Sequence, residues 1–137
     1  MKLTTLLITL FTLPLAAATE REIVAATLIL EAGVDGRIGM ESVHEVIHNR
    51  ARLRKQTLAA VCIAKKQFSA WNRRRIEAGV ALAKRSTLWR TALEIVAAEP
   101  TKHVEQATHY YAHERKADPW GFAVVAVVGR HTFCVGK

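Results

Sequence analysis

Apolar residues along the chain recur mostly at helical spacing. The first such run is Ile23-Val24-Ala25-Ala26-Thr27-Leu28-Ile29-Leu30-Glu31-Ala32-Gly33, with Glu20, Arg21 and Glu22 as a polar start and Gly33 as a stop. Nearly everything between is apolar or a good helix former, so a mostly buried helix is expected. Val34 to Gly39 is rich in turn residues and reads as a loop. A second helix is expected from about Met40 to Leu53, where Val43, Val46, Ile47 and Ala51 share a face and Glu41 sits in the first turn. Gln56 to Lys66 is a shorter helical run whose buried side is Leu58, Ala59, Val61, Cys62 and Ile63. Polar and aromatic residues then interleave from Gln67 to Asn72. A basic helix follows from about Arg73 to Lys84. Ser86 can cap the next helix, which turns Trp89, Leu93, Ile95 and Val96 inward and ends at Pro100. Thr101 to Asp118 carries little periodicity. Val124–Val128 and His131–Val135 flank Gly129-Arg130 and read as a hairpin with a two-residue connection. There are no repeats, low-complexity tracts or linkers. The fold class is α+β, mainly α, with one small C-terminal β-hairpin.

Composition sharpens this. The 137 residues argue for one domain, and a 50% hydrophobic content supports a sizeable core and excludes a disordered chain. Residues 1–18 have the form of a cleaved signal peptide: Lys2 near the amino terminus, an apolar or Thr run from Leu3 to Leu15, and Ala16-Ala17-Ala18 before a cut at Thr19. A retained anchor is the alternative. The mature domain is then 19–137, exported to the periplasm or the exterior. Removing Lys2, the one charged side chain of that leader, takes the formal charge from +8 to +7. Such a basic domain binds polyanions. An exported one meets anionic lipid and anionic cell-wall polymer, and no nucleic-acid-binding signature accompanies the clusters Arg50, Arg52, Arg54, Lys55 and Arg73, Arg74, Arg75. Cys62 and Cys134 form either one disulfide or two buried thiols; sequence leaves both open.

Chemistry centres on Glu31. A carboxylate in the last turn of an apolar helix is repelled by the helix dipole, and apolar neighbours are expected to raise its pKa. A general acid working near neutral pH needs that setting. The alternative is a carboxylate that simply turns into solvent. His44-Glu45-Val46-Ile47-His48 fits the zinc pattern H-E-x-x-H, with Glu45 as base and His103, His109, His113 or His131 as third ligand. A zinc peptidase or amidase is therefore the alternative function. Against it, Arg50, Arg52, Arg54 and Lys55 crowd the motif with positive charge, and a half-exposed helix face is the plainer reading. Gln67-Phe68-Ser69-Ala70-Trp71 and His109-Tyr110-Tyr111 mix rings, amides and hydroxyls, as sugar sites do. Ordinary core aromatics with polar tips are the plain reading.

In order, the chain carries Glu31-Ala32 before a Gly-containing loop, Gly39, Val43 through Asn49-Arg50, Val61-Cys62, Gln67-Phe68-Ser69-x-Trp71, Ala107-Thr108-His109-Tyr110-Tyr111, Pro119-Trp120, and Gly129-x-His131-x-Phe133. This series resembles the bacterial cell-wall hydrolases of the spore-cortex-lytic enzyme type, over about Ile23 to Cys134. The resemblance implies a lysozyme-like helical catalytic domain that cleaves peptidoglycan between N-acetylmuramic acid and N-acetylglucosamine. The implied reaction is that of a lytic transglycosylase, with Glu31 as acid and then base. It implies Gln67, Phe68, Ser69, Trp71, His109, Tyr110, Tyr111 and Trp120 as substrate-binding residues. No metal or cofactor is implied, and the domain is expected to act as a monomer, in a bacterium or as a phage endolysin. Two stretches depart from the family pattern. Asp35 stands where a second Glu is usual, a candidate second carboxylate. His44, Glu45 and His48 stand where small apolar residues are usual.

Overall fold

A computed structural model describes residues 16–113 and 119–136. Residues 1–15, the body of the expected leader, lie outside the described residues. Helix α1, Glu20–Ala32, begins with a capping box that composition alone did not advertise. The Thr19 hydroxyl accepts from the Glu22 amide at 3.2 Å, and Glu22 accepts from the Thr19 amide at 2.9 Å. Val24 to Leu28 are buried on every side of this helix. The chain wraps α1 with α2 (Gly36–Arg54), α3 (Leu58–Ile63), α4 (Ile76–Lys84) and α5 (Trp89–Ala97), all four packed against it.

Three local expectations change. The loop at Val34–Gly39 is only a single 3-10 turn, Gly33–Asp35, and α2 starts at Gly36. Glycine at a helix start costs little, because amides there have no intrahelical acceptor. The basic run Arg73–Arg75 precedes α4 rather than opening it. Ser86 does not cap α5; its hydroxyl accepts from the Leu88 amide at 3.1 Å, one turn ahead of a helix without a side-chain cap.

The hairpin is present as β2 (Ala123–Val128) and β3 (His131–Val135), joined through Gly129 at φ +53°. A third strand, β1 (His109–Ala112), was not legible, and it pairs antiparallel with the other edge of β3 in the order β1-β3-β2. Four half-buried residues show no alternation, so only the pairing with β3, from His109 opposite Cys134 to Ala112 opposite His131, reveals the strand. Phe133, Val104 and Met40 lock sheet and helices into one core. Among the described residues no helix is long and apolar enough to cross a membrane. Cys62 and Cys134 are both buried and are not joined to each other. Burial pushes the Cys62 thiol up to about 12, so it stays protonated.

One member of the basic cluster Arg50, Arg52, Arg54, Lys55 is buried. Arg50 sits inside, its Nε donating to the Thr108 carbonyl at 2.7 Å and Nη1 to the Gln67 carbonyl at 3.4 Å, with the guanidinium 4.9 Å from the Phe68 ring centre. Its neighbour Asn49 donates to the carbonyls of Glu105 and Ala107 at 2.8 and 2.9 Å. Together they tie α2 to the segments before the 3-10 turn Ser69–Trp71 and before β1. Hydrogen bonds from a charged donor contribute roughly 1.5–3 kcal/mol. Arg50→Met is therefore expected to lose about that much in urea unfolding, and Arg50→Lys to recover little of it, because an ammonium lacks the fork. Wild-type stability in Arg50→Lys would show that the fork is not what holds these segments.

Candidate active site

Glu31 lies at the end of α1, and its surroundings are polar rather than the apolar ones the sequence suggested. Ser69 Oγ and the Ala70 amide donate to Oε1 at 3.1 and 2.8 Å, and the Tyr110 hydroxyl donates to Oε2 at 2.8 Å. The carboxylate neither dangles in solvent nor sinks into the core. Burial, then the neighbouring Glu31 charge, hold the Tyr110 hydroxyl well above the usual tyrosine range, so it remains a donor.

Local sequence explains the donors. Phe68 is extended and 2% exposed, and the chain then tightens into the 3-10 turn Ser69–Trp71. Trp71 anchors that turn: its indole Nε1 donates to Thr27 Oγ1 on α1 at 3.0 Å, and the ring fills the space that Gly79 leaves open on α4. The Ala70 amide is thereby aimed at Glu31. So the stretch divides. Gln67 and Ser69 line the cleft with Glu31, while Phe68 and Trp71 do not; they are the packed side of the motif. Rings in a motif mark contact with sugar and contact with core alike, so sequence did not separate the two roles.

The cleft has a volume of about 560 Å³. His109, Tyr110, Tyr111 and Trp120 line it as the motifs anticipated. Trp120 stacks on Phe122, ring centres 5.6 Å apart, and both rings stand edge-on to His109. Phe122 was missed, although its position two residues beyond Trp120 was a usable signal. Burial, then the charges of Arg50 and Arg54, hold the His109 imidazole below its usual range and so favour its neutral form. Arg50, Arg54 and Lys66 give the cleft a positive side. His131 also lines it; sequence had noted this residue only as a family-motif position and a spare zinc ligand.

Asp35, the candidate second carboxylate, is committed elsewhere. Its Oδ1 accepts from the Arg130 amide at 3.0 Å and its Oδ2 lies 2.7 Å from His131 Nδ1. The zinc motif is also placed differently from expectation: His44 and Glu45 are buried, not half-exposed. His44 and His48 bring their Nε2 atoms within 3.1 Å of one another, as paired ligands would. Glu45, however, accepts from Thr101 Oγ1 and the Val104 amide, which fastens the loop before β1. His103 bonds Glu41, His113 bonds Thr132 and His131 bonds Asp35, so none of these joins the pair. Among the described residues no group of three His, Cys, Asp or Glu could hold a metal ion.

The cleft thus joins a hydrogen-bonded carboxylate, Glu31, to ring-bearing and polar walls. The family model described as Cell Wall Hydrolase matches residues 34–134, and the chain belongs to that family. Its class is that of the peptidoglycan-lytic enzymes. Glu31 stands just ahead of the matched residues, whereas Asp35, the Gln67–Trp71 motif and His131 fall within them. No curated protein matches the chain. Among solved structures it is similar to the catalytic domain of the germination-specific lytic transglycosylase SleB from Bacillus anthracis. The TM-score is 0.66 at 18% identity, over 89% of this chain and 99% of that one, a likeness of fold.

The split within the motif gives a test. Phe68→Ala is expected to cost about 3–5 kcal/mol of stability, as large buried rings do. Gln67→Ala should leave the melting temperature nearly unchanged and lower activity. Equal losses of activity and stability in both would reduce the whole stretch to core.

Proposed function

We propose that the chain cleaves glycan strands between N-acetylmuramic acid and N-acetylglucosamine as a lytic transglycosylase, with Glu31 as the single acid–base group. The observation that carries this is the convergence of three donors on the Glu31 carboxyl inside the cleft. They fix its position while leaving it chemically asymmetric. Oε1 receives two donors and Oε2 one, so Oε2 keeps a lone pair for the mobile proton. Protonated Glu31 gives that proton to the glycosidic oxygen. The C1–O bond breaks with its electron pair going to the oxygen, and positive charge develops at C1 of the muramic residue. The carboxylate then takes the proton of that sugar's C6 hydroxyl as O6 bonds C1, leaving a 1,6-anhydro end and consuming no water. A second carboxylate is not needed, which agrees with Asp35 being engaged by Arg130 and His131. Tyr111, Trp120 and Phe122 would give sugar rings apolar faces, and Arg54 and Lys66 would meet acidic groups of the wall. The same reading makes residues 1–18 an export signal removed before Thr19, which the intact mass of the secreted protein would report.

Glu31→Gln keeps the shape and removes the proton. Digestion of purified sacculi is expected to slow by a factor of roughly 10²–10⁴ or more, because one group serves both steps. Stability should change little, since the Tyr110 hydroxyl can rotate to accept from the new amide. Mass spectrometry of the wild-type products should give anhydro-muropeptides, lighter by one water than hydrolytic ones. Reducing-end products would contradict transglycosylation, and full activity in Glu31→Gln would remove Glu31 from the reaction.

A further inference from the structure

Asp35 occupies a seat the fold builds for it. A Cβ on Gly129 would lie 2.5 Å from Asp35 Oδ1, and one on Gly39 would collide with Asp35 Cβ. Gly129 is required twice over, since its φ of +53° also makes the β2–β3 turn. The Asp35 side chain is 4% exposed and that of His131 13%. A carboxylate oxygen accepts, so the 2.7 Å contact requires a proton on Nδ1, and in the neutral imidazole this leaves Nε2 as the acceptor. Nε2 is then the remaining ring nitrogen. It has no hydrogen-bond partner among the described residues, yet among them no buried side-chain nitrogen or oxygen lacks one. Nε2 therefore reaches solvent, and the solvent that this ring borders is the cleft containing Glu31. The ring stands perpendicular to Tyr110, centroids 5.2 Å apart, and Tyr110 is the residue that donates to Glu31.

One oxygen of Asp35 accepts from the Arg130 amide of the β2–β3 turn. The second oxygen of Asp35 meets the Nδ1 of an imidazole that lines the cleft. We propose that His131 is a further substrate-contacting residue, its Nε2 accepting from a hydroxyl or acetamido N–H of the glycan beside Glu31, and that Asp35 is its positioning residue. This rests on the glycan-cleaving reading of Glu31. It replaces the second-carboxylate role for Asp35 with an indirect one. Asp35→Asn can present an amide N–H to Nδ1, which favours the tautomer protonated at Nε2 and turns the cleft-facing acceptor into a donor.

The test is a double-mutant cycle on the full domain, with kcat and KM measured on soluble glycan strands and melting temperatures measured alongside. His131→Ala is expected to lower kcat/KM roughly ten- to hundredfold, the loss of one substrate hydrogen bond. His131→Gln, whose carbonyl can still accept, should recover part of it. Asp35→Asn should lower kcat/KM as well, but add nothing in the His131→Ala background, because Asp35 acts through His131. Full activity in His131→Ala would overturn the proposal. So would an Asp35→Asn loss that persists undiminished in the His131→Ala background, or losses that simply follow melting temperature across the set. Full activity in Glu31→Gln beside a loss in His131→Ala would overturn the acid–base reading and leave the His131 contact standing.

Discussion

The guanidinium of Arg50 holds the rest of the site in place. Removing a cation from water is costly, and Arg50 offsets that by meeting the carbonyls of Thr108 and Gln67 and the face of Phe68. Those two carbonyls belong to the segments that supply the donors to Glu31. One begins the Gln67–Trp71 motif and the other precedes β1, where Tyr110 lies. A buried charge tolerates little slack in its partners, so the segments that donate to Glu31 are both held against α2. Asn49 repeats the device one residue earlier, on the carbonyls of Glu105 and Ala107.

From that clamp the site is assembled from remote pieces of chain. α1 carries Glu31 outward from a fully buried core. The tight turn anchored by Trp71 brings one pair of donors, and β1 brings the third. Asp35, at the end of the turn between α1 and α2, reaches the β2–β3 connection and ties the sheet to the helical body. Helices thus supply rigidity, and the short sheet supplies one wall of the cleft.

Much of this architecture was readable from the chain, for identifiable reasons. The α1 run, the α2 stripe of Val43, Val46 and Ile47, and the β2–β3 hairpin around Gly129 all carry strong local signals, and each is present. The division of labour within the site was not readable. Arg50 looked like one of four clustered cations, because charge clustering says nothing of which member turns inward. Phe68 and Trp71 looked like sugar platforms, since burial is a tertiary property. β1 was silent because its four residues are half-buried and gain strand character only from β3. His44-Glu45-x-x-His48 matched a pattern whose fixed positions, in this fold, face a loop and each other. Even the expected apolar setting of Glu31 failed, because its three donors come from residues 38 to 79 positions away.

The most direct measurement is the structure of the Glu31→Gln variant with a bound glycan fragment that spans one muramic acid–glucosamine linkage. The account predicts that linkage oxygen at roughly 3 Å from the side chain at position 31, the sugar rings along Tyr111 and Trp120, and His131 still joined to Asp35. A fragment bound outside this cleft, or a linkage lying beside an Asp35 released from His131, would contradict it.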